Sequence, residues 1–107
     1  MVNRNYRRGR GFEYRRLNYI LKQPDVIKGK RFYGSKGICD IYYVKEDGSY
    51  HEEQCKYTSR PDRVPYISPK EFLELLQYAL ENEGKINVYL TSGRARQPTK
   101  VWKLNWE

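Results

Sequence analysis

The amino-acid sequence predicts one α/β domain, in which a mixed central sheet is flanked by helices. Two segments, near residues 12–22 and 69–82, space their apolar residues as amphipathic helices do. Segments rich in β-branched and aromatic residues lie between and after them, separated by turn-forming residues. A length of 107 residues fits a single domain, and the order is helix, two or three strands, helix, two strands.

The first helix carries a carboxylate where apolar residues are expected. Leu17, Ile20 and Leu21 form its apolar stripe. Glu13 lies four residues before Leu17 and therefore extends that stripe. A carboxylate on a core-facing stripe is costly unless it pairs with a cation or binds a metal ion. A nearby arginine and a metal ion would each satisfy Glu13, and the helix alone does not distinguish them.

The chain before this helix is strongly basic. We expect residues 1–10 to form a loose, flexible basic arm that becomes helical near residues 7–12. The helix is expected to stop at residues 23–25, which include a proline. Arg15 and Arg16 are predicted to lie away from the apolar stripe.

Short strands and a hairpin follow the first helix. In order, the predicted pieces are strands at 26–27 and 31–33, a small basic loop at 34–37, and hairpin strands at 38–44 and 50–57. Lys28-Gly29-Lys30 is expected to separate the first two pieces, and Asp47-Gly48 lies in the hairpin turn.

The second helix has a strong start signal in the sequence. Ser68 fits the N-cap, Pro69 fits the first helical position, and Glu71 fits the position that closes a capping box. The following apolar residues have helical spacing, and Glu83-Gly84 is expected to end the helix.

The C-terminal segment predicts two strands, at 86–91 and 101–106, joined by a long basic loop. Trp102 and Trp106 share one face of the last strand, where they fit either the core or a dimer interface. The basic residues of the loop fit either contacts to a DNA backbone or a solvated surface.

The positive charge is concentrated in the first third of the chain. The formal net charge is +8, and residues 1–36 contain eleven Lys and Arg against two acids. This distribution favours a polyanionic partner, nucleic acid before a membrane surface, over a solubilising face. No apolar run approaches the roughly 20 residues of a membrane helix, and the N-terminus does not resemble a signal peptide. We therefore expect no membrane partner and a cytoplasmic location, in a cell or a virus-infected host.

The hairpin carries an acid on one strand and a lysine on the other. Gln54 and Lys56 share one face because side chains alternate along a strand. If the register places Asp40 opposite these two residues, three polar groups converge. Asp40 is a hard oxygen ligand suited to Mg²⁺ or Mn²⁺, and Lys56 could stabilise charge developing on a phosphodiester. Surface ion pairs often produce the same spacing, so the pattern alone is weak.

These features resemble the archaeal Holliday-junction resolvases, within the PD-(D/E)XK nuclease superfamily, over most of the chain. The basic, glycine-containing segment at 7–11 followed by Glu13 is similar to the opening segment of that family and its metal-binding helix glutamate. Gly34-Ser35 resembles the small-residue loop whose serine lies at the active site.

The hairpin also resembles the family, with one departure. Asp40 falls where the family has its first strand acid, and Lys56 falls at the lysine of its acid-x-Lys motif. Gln54 occupies the position of the second acid, where a neutral carbonyl oxygen should lower the affinity for a cation. Glu53 should face away by strand alternation unless a bulge turns it inward, and Glu13 could supply the missing charge.

The resemblance implies a restriction-endonuclease-like fold and an Mg²⁺-dependent (or Mn²⁺-dependent) homodimeric endonuclease that hydrolyses phosphodiesters in branched DNA, four-way junctions first. It implies the catalytic residues Asp40, Lys56, Glu13, Gln54 and Ser35, with Glu13, Asp40 and Gln54 as metal ligands. The predicted DNA contacts are Arg7, Arg8, Arg10, Arg15, Arg16, Lys30, Arg31, Lys36, Arg60 and Arg63. Alternatives are a nuclease for single-stranded, nicked or flap DNA, and a nucleic-acid-binding module that has lost its chemistry.

The histidine and the cysteines are not expected to take part in chemistry. His51 lies near the turn and is predicted to be an exposed hairpin residue rather than a general base. Cys39 and Cys55 lie on the two hairpin strands, where they are expected to be buried thiols that could be neighbours. One histidine and two cysteines do not predict a zinc site.

Overall fold

A computed structural model describes residues 4–32, 38–58, 67–94 and 99–105, and for residues 4–8 it describes the backbone only. Its elements are, in chain order, α1 (Arg4–Leu21), β1 (Val26–Arg31), β2 (Ile41–Lys45), β3 (Tyr50–Tyr57), α2 (Pro69–Glu81), β4 (Asn87–Gly93) and β5 (Lys100–Lys103). These five strands form one sheet in the order β1-β2-β3-β4-β5. Neighbouring strands are antiparallel except β3 and β4, which are parallel and connected through α2.

The two helices cover opposite faces of the sheet. Neighbouring residues of β3 show this alternation, because Glu52 accepts a hydrogen bond from Tyr78 of α2 and Glu53 pairs with Arg16 of α1. The buried residues of the α1 face are Phe12, Leu17, Ile20, Ile41, Tyr43 and Cys55. The buried residues of the α2 face are Cys39, Leu75, Ala79, Val88 and Leu90. The predicted fold class, a mixed sheet flanked by helices, is therefore confirmed.

Helix α1 is longer than the sequence indicated, and its buried face is the predicted one at Leu17 and Ile20 but not at its edges. It begins at Arg4, so the basic segment predicted as a loose arm is helical from that residue onward. Its sheet-facing stripe includes Arg16, which was predicted to point away, whereas Leu21 is 42% exposed. Arg16 lies three residues after Glu13 and four before Ile20, which is the spacing of one helix face.

Strand β1 runs without interruption through Gly29, which was predicted to separate two strand pieces. A Cβ atom on Gly29 would lie 2.8 Å from the carbonyl oxygen of Tyr42 and 3.4 Å from Leu17 Cδ1. The glycine therefore does not break the strand. It allows β1, β2 and α1 to approach each other closely.

Helix α2 starts as predicted, but its capping box is only half made. The Ser68 Oγ atom accepts a hydrogen bond from the Glu71 N–H at 3.2 Å, and Pro69 is the first helical residue. The Glu71 carboxylate binds Lys56 at 2.7 Å, where the capping box predicted a return contact to the N-cap. The helix ends at Glu81, and the predicted Gly84 lies in the turn that follows, with φ of +79°.

Three smaller expectations have clear outcomes. Cys39 and Cys55 are buried free thiols as predicted, but they belong to the cores on opposite faces and are not neighbours. Trp102 packs against the core of the α2 face, which favours the core reading for that residue. Trp106 lies outside the described residues.

Candidate active site

Asp40 lies directly before β2, at the open end of the hairpin. Its Oδ2 atom accepts a hydrogen bond from the Cys55 N–H at 2.7 Å, and its own N–H donates to the Glu53 carbonyl oxygen at 2.9 Å. Burial raises the pKa of Asp40, while the Cys55 amide and the charge of Lys56 oppose that rise. These backbone contacts fix the carboxyl group beside the end of β3.

Glu13 reaches the same place from α1. Burial first, then the charge of Asp40 and a hydrogen bond between the two carboxyl groups, raise the pKa of Glu13 to about 7. Arg31 opposes this rise, with its Nε atom 3.8 Å from Glu13 Oε1. Two carboxyl groups that share a site cannot both ionise freely without a cation. The sequence allowed two partners for Glu13, a nearby arginine or a metal ion. The structure places Glu13 beside Asp40, with Arg31 nearby.

Lys56, on β3, completes this group, and it brings a partner that the sequence did not reveal. Its Nζ atom lies 2.7 Å from Glu71 Oε2, on the first turn of α2, and its charge also acts on Asp40. The sequence predicts only a capping role for Glu71. No sequence signal shows that the first turn of α2 reaches Lys56 on β3, because that contact depends on the β3–α2 connection.

The ligands available for a metal ion are two acids and a neutral oxygen. The described part of the chain contains no group of three or more His, Cys, Asp and Glu residues that could hold a metal. Gln54 lies on the same face of β3 as Lys56, three residues before the end of the strand. Two carboxylates and an amide carbonyl are all hard oxygen donors, so the residues present fit Mg²⁺ or Mn²⁺ better than zinc.

A basic, aromatic cluster borders these carboxyl groups. The Tyr14 hydroxyl accepts hydrogen bonds from Arg31 Nη1 at 3.0 Å and from Arg10 Nη2 at 3.4 Å. The Arg31 guanidinium also lies 4.5 Å from the centroid of the Tyr14 ring. The Arg10 hydrogen bond and then the Arg31 charge lower the pKa of Tyr14. Two guanidinium groups are thus held next to Glu13, which suits a phosphate backbone.

The other predicted site residues have mixed outcomes. Arg15 and Lys30 are exposed, as a DNA contact requires. Arg16 is not, because its guanidinium is directed at Glu53 and only 12% of its side chain is exposed, so its prediction as a DNA contact loses its basis. The side chains of the remaining predicted residues lie outside the part of the chain that the structure describes: Arg7, Arg8, Ser35, Lys36, Arg60 and Arg63.

Glu53, which the sequence predicted to face away from the site, is fully buried under α1. Its carboxylate accepts hydrogen bonds from Arg16 Nε at 2.9 Å and Nη2 at 3.1 Å. It also accepts from the Tyr43 hydroxyl and the Thr91 hydroxyl, both at 2.7 Å. Burial and then the Glu53 charge raise the pKa of Tyr43, which keeps its hydroxyl a donor.

His51 is buried rather than exposed, which contradicts the prediction. Its ring stacks on Tyr43 with the centroids 4.9 Å apart, and its Nδ1 and Nε2 atoms contact Tyr89 Oη at 2.9 Å and Ser49 Oγ at 2.7 Å. The Ser49 hydroxyl donates its hydrogen bond to Asp47 Oδ1, which leaves Ser49 Oγ as the acceptor for His51 Nε2–H. A cavity of about 350 Å³ adjoins this chain of contacts at the hairpin turn, away from Lys56.

No protein-family model and no curated protein sequence matches the chain. Among solved structures, the chain is similar to Archaeoglobus fulgidus Hjc, a Holliday junction resolvase from an archaeal hyperthermophile. The TM-score is 0.66 at 20% sequence identity, over 90% of this chain and 72% of that chain.

The chain shares the fold of this Hjc structure. The likeness to Hjc covers nearly the whole chain, so the restriction-endonuclease-like architecture suggested by the sequence is confirmed. A likeness at 20% sequence identity establishes the fold alone. In the described residues, no helix is long and apolar enough to cross a bilayer.

Proposed function

We propose that this protein is a divalent-metal-dependent DNA endonuclease that cuts four-way junctions as a homodimer. One observation carries the proposal: Glu13, Asp40 and Lys56 come from three separate segments and meet at one end of the sheet. Carboxylates and an ammonium group beside a guanidinium cluster form a site suited to phosphodiester hydrolysis. The shared fold with Hjc, a Holliday junction resolvase, supports the same reaction class.

In this proposal, Glu13 and Asp40 hold an Mg²⁺ or Mn²⁺ ion, with the Gln54 carbonyl oxygen as a neutral third ligand. When bound, such an ion activates water and neutralises charge on the phosphate. The Cys55 amide holds Asp40 in place, and the Lys56 ammonium stabilises the negative charge that develops as the phosphodiester is attacked. The Glu71 carboxylate holds the Lys56 ammonium in place by accepting its hydrogen bond.

The basic surface on α1 and β1 supplies the DNA contacts. Arg10 and Arg31 would bind backbone phosphates next to the one that is cut, and Tyr14 holds both guanidinium groups in place. A four-way junction presents two equivalent strands, and a twofold homodimer presents two equivalent sites to them. The homodimer is therefore part of the proposal.

The test is cleavage of a synthetic four-way junction in Mg²⁺ and in Mn²⁺, with single-stranded, nicked and flap DNA of the same sequence as competitors. We expect Asp40→Ala and Lys56→Ala each to lower kcat by about 100-fold or more while junction affinity changes little. Lys85→Met, at an exposed turn beyond α2, is the matched control and should cleave as wild type. Equal cleavage by wild type and Asp40→Ala would refute the catalytic assignment.

A second candidate function is a junction-binding module without cleavage. Gln54 favours it, together with the two-acid site found in the described residues, because one fewer negative charge weakens cation binding. Gln54→Glu separates the two functions. A nuclease should cleave as wild type and gain metal affinity in the variant. A wild type that binds the junction tightly without cutting it, and a variant that cuts, would favour the binding module.

A further inference from the structure

The most strongly buried charge in the described residues is not part of the proposed chemistry. Glu53 has no exposed side-chain surface, and its two oxygens receive four hydrogen bonds. The donors belong to three elements, because Arg16 lies on α1, Tyr43 on β2 and Thr91 on β4. Glu53 thus links four elements through one carboxylate, with Arg16 bound in a bidentate fork.

The fork lies one helical turn from the proposed metal ligand. Arg16 and Glu13 are three residues apart on α1, and both face the sheet. On β3, Glu53 precedes Gln54 and lies three residues before Lys56. The same short segments that carry the site therefore also carry the link between helix and sheet.

Apolar contacts alone would not fix α1 so closely. The core on this face consists of side chains that pack without direction, and related packings differ little in energy. A bidentate guanidinium–carboxylate pair has one geometry, so it resists both rotation and sliding of the helix. Buried ion pairs generally contribute little to stability compared with apolar residues of similar size. The most direct consequence of the Arg16–Glu53 pair is therefore the placement of α1 on the sheet.

We propose that the Arg16–Glu53 pair is a positioning device for the active site: it fixes α1 on the sheet so that Glu13 meets Asp40. The role at the active site rests on the proposed function, whereas the placement of α1 can be tested without it. Arg16 and Glu53 act through Glu13 and do not touch substrate. Loss of a supporting contact of this kind costs about 10- to 100-fold in metal affinity or activity.

The test uses three variants and two controls on the full chain. Arg16→Met removes the fork, Arg16→Lys keeps the charge without it, and the double variant Arg16→Met/Glu53→Gln removes both charges while leaving an amide for Tyr43 and Thr91. Arg15→Met removes an exposed charge from the same helix. Ile20→Val weakens the packing of α1 without touching the pair.

We measure backbone hydrogen exchange of α1, the distance between the Glu13 and Asp40 carboxyl groups in crystals, Mn²⁺ affinity by calorimetry, and kcat and KM on the junction. Arg16→Met and the double variant should speed exchange at the start of α1 and lengthen the carboxyl distance. They should lower Mn²⁺ affinity and kcat about 10-fold or more with KM nearly unchanged. Arg16→Lys should recover part of each loss.

The two controls distinguish a displaced α1 from the loss of a positive charge and from a loss of stability. Arg15→Met should raise KM for DNA and leave α1 exchange and Mn²⁺ affinity unchanged. Ile20→Val should lower the melting temperature and leave kcat unchanged. A folded double variant with the wild-type carboxyl distance and wild-type Mn²⁺ affinity would overturn the positioning role. If wild type neither binds Mn²⁺ nor cuts DNA, the proposed function fails, while exchange and the carboxyl distance still decide whether the pair places α1.

Discussion

Glu13 and Asp40 place two carboxyl groups at one site, and their protonation determines when a cation can bind. Burial and the neighbouring Asp40 raise the pKa of Glu13 to about 7. Below that pH a divalent ion must displace a proton, so the affinity for Mn²⁺ should rise about tenfold per pH unit and level off above it. Calorimetric titration of the metal-free protein between about pH 5.5 and 8.5 measures this dependence.

Two variants test whether Glu13 causes this pH dependence. Glu13→Gln removes the titrating group, so Mn²⁺ binding should weaken and lose most of its pH dependence over the same range. Glu46→Gln removes an exposed acid in the hairpin turn and should keep the wild-type profile. A wild-type affinity that is flat across neutral pH would contradict the shared carboxyl site.

The same pKa predicts how the stability of the metal-free protein changes with pH. The folded state holds the Glu13 proton up to about pH 7, whereas the ordinary value in an unfolded chain is 4.5. The folded state therefore binds more protons in this window, and stability should fall as the pH rises through it. Urea denaturation at several pH values measures the trend. Glu13→Gln should flatten it, and an upward trend in wild type would contradict it.

At the residue scale, the sequence predicted the site better than its surroundings. Asp40 and Lys56 could be found because strand alternation and the hairpin turn are local properties. Arg16 and His51 could not, because a polar residue in a single sequence gives no sign that it has a buried partner. Each has a partner more than 35 positions away, Glu53 for Arg16 and Tyr89 for His51.

At the scale of elements, Gly29 illustrates how packing overrides a local signal. A glycine at this position predicts a break in the strand, but β1 continues across Gly29. The absence of a side chain there leaves room for the Tyr42 backbone and the Leu17 side chain. The start of α2 was predictable for the opposite reason, since its cap involves only residues within one turn. Local chemistry could therefore be predicted, and contacts between elements could not.

Gly29→Ala should destabilise the protein by about 1–3 kcal/mol, because the added methyl group meets the Tyr42 carbonyl oxygen and the Tyr43 Cβ atom. Gly9→Ala is the matched control: it makes the same change inside α1, where nothing lies within 4 Å of the added atom. That variant should stabilise the protein by about 0.5–1 kcal/mol through helix propensity. Urea unfolding measures both, and equal effects of the two substitutions would contradict the close packing of β1.

At the scale of the whole molecule, the positive charge is concentrated in the same part of the chain that contributes Glu13 to the site. The excess of Lys and Arg lies in residues 1–36, and most of its described part belongs to β1 and to α1, the helix that carries Glu13. The far end of α2 lies away from this region, since a helix of 13 residues spans about 20 Å. DNA should therefore approach from one end of the sheet.

This polarity predicts which cations determine the salt dependence of junction binding. Each phosphate contact adds about 0.9 to the steepness of log affinity against log salt concentration. Arg10→Met and Arg15→Met should therefore each make the slope shallower by about one, because both side chains are exposed on the helix that carries Glu13. Lys85→Met, beyond the far end of α2, should leave the slope unchanged.

Arg16→Met makes the sharpest comparison, because it removes the same charge from the next residue of the same helix. Its guanidinium is bound to Glu53 under α1, so no phosphate contact is lost and the slope should stay at the wild-type value. Fluorescence anisotropy with a labelled junction in Ca²⁺, an ion with similar oxygen ligands, measures binding without cleavage at several salt concentrations. Equal slope changes for Arg15→Met and Arg16→Met would show that DNA reaches both arginines, which the buried pair does not allow.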